Sequence, residues 1–380
     1  MSKKPIRVLI VDDSPLIREL IADALAQYDD LQVAGTAVDG DEALALLETV
    51  RPDLITLDLQ MPRKDGLTTL DEMLARRPTP VIVVSSLTQR AADATLQALD
   101  RGAMDYVAKP EGLNEMKRIF GEELPLKIRN MAGADVQRIL TMRQNRKQRT
   151  IALHATAAFG NDESAGRFVG CIAIGVSTGG PPALSRLFGA LMPPLPPIVV
   201  VQHMPAMFTG PFAARLNSLS AVDVKEAATG DLLRPNTALL APGGKHLALR
   251  RTAGGQVQAV VSDGDPVSGH KPSVDVMMRS AAQVFGRNAL AVIMTGMGRD
   301  GSDGCKYVRN AGGYVIGQDE ASSDVYGMNK VAFVEGNVDR QVSLAQLPEL
   351  VVAEARRRCV SSAPNAKSSP SSSIMKARSP

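Results

Sequence analysis

Between residues 6 and 130 the chain alternates two hydrophobic periodicities. Short β-branched runs, IRVLIV (6–11), LQVAGTA (31–37), DLITLD (53–58), PVIVVSS (80–86) and MDYVAK (104–109), alternate with stretches such as LIRELIADALAQ (16–27) and DEALALLETV (41–50). The runs predict strands buried on both faces. The stretches between them carry apolar residues at three-and-four spacing and predict amphipathic helices. Five strand–helix repeats predict a flavodoxin-like five-stranded parallel sheet with helices on both faces.

A second alternating region begins at Phe168, with strand-like FVGCIAIG, PIVVVQ and ALAVIMTG each followed by a helix-like segment. This predicts a second, doubly wound α/β domain. Residues 222–262 differ: VKEAATG, TALLAPGG, HLALRR and QVQAVVSDG are short runs punctuated by glycine. They predict one or more antiparallel hairpins and hence a mixed sheet. Between the two regions, RILTMRQNRKQRT is basic and HATAAFGNDESAG is small and polar, which predicts a linker. Residues 361–380 are mainly Ser, Pro, Ala and Lys and read as disordered. The expected organisation is a first domain over 1–130, a linker over 131–166, a second domain over 167–355 and a basic disordered tail over 356–380.

A length of 380 residues suits two or three domains, and 44% hydrophobic with 22% charged residues suits globular protein. The net charge of +3 is uneven: six basic residues and no acid lie in 356–380, so the remainder carries −3. A slightly acidic folded part with no basic stripe argues against nucleic acid as a partner. The three cysteines show no metal-ligand spacing and point to a reducing compartment. The opening MSKKPIRVLIVDDSP is not a signal peptide. Leu187–Ala214 lacks Asp, Glu, Lys and Arg but contains six prolines and His203, which does not read as a membrane span. A soluble, cytoplasmic protein, not inserted in a membrane, is expected.

In parallel sheets functional groups gather at the carboxyl ends of strands. In the first domain those ends carry Asp12-Asp13, Asp58, Ser85-Ser86 and Lys109-Pro110. Any one aspartate could instead cap the following helix, as Asp13 or Ser14 could before Pro15. As a set they point to Mg²⁺ among carboxylates, with Asp58 as a phosphoryl acceptor and the hydroxyl and lysine on the phosphoryl oxygens. VDDSPLIREL, LDLQMPRKDG, VSS and AKP resemble the response-regulator receiver domain. The resemblance implies that a histidine kinase phosphorylates Asp58. It also implies that Asp12, Asp13 and Asp58 hold Mg²⁺ with the Gln60 carbonyl, that Ser85 moves toward the phosphoryl group, and that Lys109 pairs with it.

In the second domain, Gly-Val-Ser-Thr-Gly at 175–179 sits between a strand and the helix-like PPALSRLFGAL, the context of a nucleophile elbow around Ser177. The pattern alone is weak, because glycine-rich turns also cradle phosphates. Of the four histidines, His203 follows the strand IVVVQ at the edge expected for Ser177. His154 lies in the linker, His246 enters a hairpin strand, and His270 lies on a loop as a supporting or substrate contact. Asp300, after ALAVIMTG, is the orienting carboxylate, with Asp303 its competitor. Backbone N–H groups near Thr178 and Met297 are oxyanion-donor candidates. The order Ser, His, Asp differs from that of α/β-hydrolases.

AIGVSTGGPPAL, VVVQHMPAMFTGPFAARLN, HKPSVDVMMRSAA and IMTGMGRDG closely resemble the chemotaxis protein-glutamate methylesterases of the CheB type. With the receiver motifs the resemblance covers about 1–350. It implies a receiver domain, a methylesterase domain, and hydrolysis of glutamyl γ-methyl esters on methyl-accepting chemoreceptors. It further implies deamidation of specific receptor glutamines, a chemotaxis histidine kinase as phosphodonor, no cofactor at the esterase site, and a receiver that inhibits until Asp58 is phosphorylated.

Overall fold

A computed structural model of the chain describes residues 4–134, 136, 137, 141 and 168–359. His154, most of the expected linker and the chain beyond Cys359 lie outside the described residues.

The N-terminal half is built from β1 (Ile6–Val11), α1 (Pro15–Leu25), β2 (Leu31–Ala37), α2 (Gly40–Val50), β3 (Leu54–Asp58), α3 (Gly66–Arg76), β4 (Val81–Ser86), α4 (Gln89–Arg101), β5 (Asp105–Lys109), α5 (Leu113–Arg118) and α6 (Leu124–Met131). The sheet order is β2-β1-β3-β4-β5, parallel throughout. Every position of β3 is buried, which explains its unbroken apolar run. Short polar side chains start the helices: Ser14, Asp39, Asp65 and Thr88 each accept a first-turn N–H. Ser14, not Asp13, caps α1, so Asp13 stays free for other work.

The C-terminal half comprises β6 (Cys171–Val176), α7 (Gly180–Ala190), β7 (Ile198–Gln202), α8 (Ala206–Leu219), β8 (Asp223–Glu226), β9 (Thr237–Leu240), β10 (His246–Arg251), β11 (Val257–Ser262), α9 (Val274–Phe285), β12 (Ala289–Ile293), α10 (Ser302–Asn310), β13 (Tyr314–Gln318), α11 (Met328–Val334), β14 (Arg340–Val342) and α12 (Leu347–Cys359). Its main sheet runs β14-β13-β12-β6-β7-β9-β8, and every pairing is parallel. The expected mixed sheet is therefore two structures. VKE and TALL extend the parallel edge as β8 and β9, while HLALRR and VQAVVS form a separate antiparallel hairpin, β10–β11. Four-residue strands carry too little pattern to reveal whom they pair with.

One face of this sheet packs on α7, α8 and α12 through Leu184, Phe188, Phe208, Phe212 and Val351. The other packs on α9, α10 and the hairpin through Met277, Met278, Val308 and Leu247. The first core continues into the N-terminal half through Ala92, Leu96 and Leu99 of α4. There Tyr106 of β5 stacks on Phe208, with ring centroids 4.9 Å apart, and Arg215 pairs with Asp100.

Helix α12 runs past the expected boundary at 355. Arg356, Arg357 and Arg358 form the last turn of α12, with Arg357 and Arg358 at 2.8 and 2.9 Å from Glu354. Cys359 is fully buried, its Sγ 3.3 Å from the Asn288 carbonyl, and this apolar anchor outweighs the charge run. Among the described residues no helix is long and apolar enough to cross a membrane.

Candidate active site and acidic pocket

In each sheet the chain reverses its winding direction at one point, where connecting loops diverge and leave a crevice. In the first sheet this point lies between β1 and β3, and in the second between β6 and β12. Both candidate sites lie at these crevices.

At the first crevice, ligand atoms of Asp12, Asp13 and Asp58 all lie within 4.8 Å of one another. Lys109 Nζ is 2.6 Å from Asp12 Oδ2 and 2.7 Å from Asp58 Oδ2. Asp12 is raised to about 6: burial raises it most, Lys109 offsets part of this, and the charge of Asp58 adds to it. One lysine thus leaves three carboxylates under-compensated, and this hard oxygen cluster fits a divalent cation. Gln60 stands beside it, its N–H donating to Asp58 Oδ1 at 3.0 Å. Ser85 is buried, and its hydroxyl accepts from Thr95 Oγ1 at 2.8 Å, so it is turned toward α4. Ser86 donates instead to Gln60 Oε1 at 3.2 Å.

At the second crevice, Ser177 follows β6 and leads into α7. Its N–H donates to the Thr295 carbonyl at 3.0 Å. Gln202, the last residue of β7, donates its side-chain amide to the carbonyls of both Ser177 and His203, at 3.0 and 3.1 Å. One amide thereby ties the serine turn to the histidine. Gly180 is required here, since a Cβ would lie 1.9 Å from Gln202 Oε1 and 2.8 Å from Val176 Cγ2. Gly180→Ala should displace Gln202, cost about 1–3 kcal/mol through overpacking, and lower both Tm and hydrolytic activity. A thermal melt and an ester assay check this.

His203 Nε2 lies 2.8 Å from Asp300 Oδ2, with the Asp300 side chain wholly buried. Asp300 also accepts from Ser273 Oγ at 2.8 Å and from the N–H groups of Val274 and Asp275 at 2.7 and 3.1 Å. Burial alone would raise its carboxyl, but His203 and these N–H donors override it and hold Asp300 down at about 2. With Asp300 ionised, the proton of neutral His203 sits on Nε2. The lone pair is then on Nδ1, which is buried without a hydrogen-bond partner. His270 stacks on His203, centroids 3.8 Å apart and planes within 5°. Burial, reinforced by His203, pushes His270 down to about 4, so it is neutral at pH 7.

The other candidates fall elsewhere. His246 is buried in the hairpin, held by the Asp265 carbonyl at 2.9 Å and the Ser273 N–H at 3.2 Å. Asp303 faces outward and pairs with Arg299 at 3.4 Å. Thr178 is buried beside Ser177, and its carbonyl accepts from Thr295 Oγ1 at 2.9 Å. Met297 lies on the loop between β12 and Asp300, and its Sδ contacts Asn130 of α6. The N-terminal half therefore reaches this loop. Gln202, Ser273 and Thr295 were not singled out from the sequence. Ser273 carried a signal, as a serine opening the helical run VDVMMRSAA.

Two family models match the chain: the response regulator receiver domain over residues 8–120 and the CheB methylesterase over 172–351. "Protein-glutamate methylesterase/protein-glutamine glutaminase 1" of Geobacter metallireducens is 43% identical over 355 residues, covering 92% of this chain and 95% of that protein. "Protein-glutamate methylesterase/protein-glutamine glutaminase 2" of Koribacter versatilis is 44% identical over 368 residues, covering 95% of this chain and 99% of its own length. The chain belongs to the protein-glutamate methylesterase/protein-glutamine glutaminase family. The crystal structure of the Thermotoga maritima CheB methylesterase catalytic domain is similar to this family member at 38% identity and a TM-score of 0.47. It covers 48% of this chain and 97% of that one.

Proposed function

We propose that this chain is a phosphorylation-activated hydrolase that demethylates glutamyl γ-methyl esters on chemoreceptors and deamidates specific receptor glutamines. Family membership along almost the whole length supports the reaction. The observation that carries the assignment of residues is His203, held by Asp300 through Nε2 while its own Nδ1 is buried and unpartnered, at the crevice that Ser177 enters.

His203 Nδ1 takes the Ser177 hydroxyl proton as Oγ attacks the ester carbonyl carbon. The carbonyl oxygen becomes an oxyanion, received by the N–H groups of Thr178 and Met297. Collapse breaks the bond to methoxide, which leaves as methanol with the proton from His203. Water, deprotonated by His203, then cleaves the acyl-serine and releases glutamate. For glutamine the leaving group is ammonia. Asp300 keeps the proton of neutral His203 on Nε2 and stabilises the imidazolium that forms. Asp300→Asn should keep the geometry but lower kcat about 10⁴-fold by favouring the wrong tautomer. Methanol release from methylated receptor membranes tests this, and an unimpaired variant would remove Asp300 from the mechanism.

The N-terminal half, residues 1–130, acts as the receiver, joined by a linker over 131–166 to a catalytic domain that begins at 167 and includes α12 to Cys359. A chemotaxis histidine kinase transfers a phosphoryl group to an Asp58 oxygen, forming an acyl phosphate. Asp12, Asp13, Asp58 and the Gln60 carbonyl would hold Mg²⁺, which supplies charge neutralisation at the phosphoryl oxygens. Lys109 then turns from Asp58 to the phosphoryl group, and Ser85 leaves Thr95 to reach it. Since α4 and β5 form part of the contact with α8, movement at Ser85 reaches the surface that carries the Tyr106–Phe208 stack. Release of that contact frees the Met297 loop. Free cysteines at 171, 305 and 359 support a cytoplasmic setting.

A further inference from the structure

Asp300 is held by the N-terminus of α9, and the reverse contact also exists. Asp275, in the first turn of α9, accepts through Oδ1 from the N–H of Gly301 at 2.9 Å and of Gly304 at 2.7 Å. Those groups open α10, immediately after Asp300. Its Oδ2 accepts from Ser268 Oγ at 2.9 Å. The first turn of α10 is therefore capped by a carboxylate of α9, and the first turn of α9 by Asp300, on the loop that leads into α10. The approach is close enough to demand glycine: a Cβ on Gly304 would meet Met278 Cβ at 2.8 Å and Asp275 Cα at 3.1 Å. Asp275 is buried, and the steps of ester hydrolysis do not use it.

We propose that Asp275 is a positioning residue for hydrolysis: by locking the start of α10 to α9 it holds Asp300 against His203. The proposal rests on the reading of Ser177, His203 and Asp300 given above. Asp300 takes three of its four hydrogen bonds from Ser273, Val274 and Asp275, so its orientation depends on the register between the two helices. Asp275 sets that register through two N–H groups on the far side of the same loop.

The pair also couples through charge. Asp275 is raised to about 6: burial raises it most, the Gly304 N–H and Ser268 lower it in part, and the charge of Asp300 raises it. The ionisable groups that interact with it are Asp300 on the β12–α10 loop and Cys305 of α10, whose thiol its charge helps to raise. Asp275 is mostly ionised at pH 7. As pH falls through about 6 it protonates, its hold on Gly301 and Gly304 weakens, and a proton becomes available to Asp300.

The test uses the full-length chain with acetyl phosphate and Mg²⁺, measuring methanol release from methylated receptor membranes across pH for wild type, D300N, D275A, D275N and S268A. Asp275→Ala should lower kcat on the order of 10²-fold with KM little changed. Asp275→Asn, which keeps an acceptor for the two glycine N–H groups, should recover part of that loss. The acid limb of kcat/KM should move to lower pH in D275N, where the titrating carboxyl is gone. It should move to higher pH in S268A, where that carboxyl protonates more readily. Opposite shifts are not expected from simple loosening of the fold. Wild-type kcat in D275N and D275A, with an unmoved acid limb, would overturn the proposal, while loss of activity in D300N would leave the catalytic assignment intact. Full activity of D300N would instead overturn the catalytic assignment itself. Should the Asp275 variants fail to fold, S268A decides: a raised acid limb supports the proposal and an unmoved one overturns it.

Discussion

Ser177→Ala should abolish ester hydrolysis, lowering kcat by about 10⁴–10⁶-fold, while Tm and phosphorylation of Asp58 stay as in wild type. Removing Oγ deletes the atom that forms the acyl-enzyme, so the loss falls on every substrate, methyl ester and glutamine alike. Fold stability should be spared because the turn is fixed by main-chain contacts that alanine retains. The Ser177 N–H reaches Thr295, and its carbonyl is held by Gln202. Whatever rate remains above water should come from the oxyanion donors and from binding alone. Methanol release and ammonia release, followed in parallel, check that both activities fall together. If one survived, two different nucleophiles would be at work.

Asp58→Asn should leave basal hydrolysis unchanged and remove its stimulation by acetyl phosphate. An amide cannot form the acyl phosphate, and it also takes one negative charge out of the acidic cluster. Lys109, now 2.7 Å from the Asp58 carboxylate, loses the partner whose modification would draw it away. Stimulation that persisted in this variant would place the switch elsewhere. The converse change, deletion of residues 1–150, should raise basal activity, because it removes the stack of Tyr106 on Phe208 and the contact of Asn130 with Met297.

The candidate sites were legible because parallel sheets announce where polar side chains collect. Buried strands read as unbroken apolar runs, and the first polar residues after them, Asp12, Asp58, Ser177 and His203, stand at the crevice edges. Asp300 could be read because it follows β12, and Asp303 lost to it because the start of α10 turns the later carboxylate outward. The ring contact of His270 with His203 was not visible, since it depends on how a loop folds over the site from some seventy residues downstream. Gln202 was hidden as the last residue of an apolar strand, where glutamine reads as an edge residue. In the sequence Asp275 carries no signal beyond that of an acidic residue near the start of a helical run. Only the approach of α10 shows that it serves another helix. Of the short runs in 222–262, HLALRR and VQAVVS form the expected antiparallel hairpin, whereas VKE and TALL pair in parallel, because glycine-rich turns signal reversal without saying what lies beside the strand.

The most direct measurement is methanol release by the full-length chain from methylated receptor membranes, with and without acetyl phosphate and Mg²⁺, for wild type and Ser177→Ala. The account predicts slow basal release from wild type, a marked rise on phosphorylation, and none in the variant under either condition. Equal release from the Ser177→Ala chain, or release from wild type that phosphorylation leaves unchanged, would contradict it.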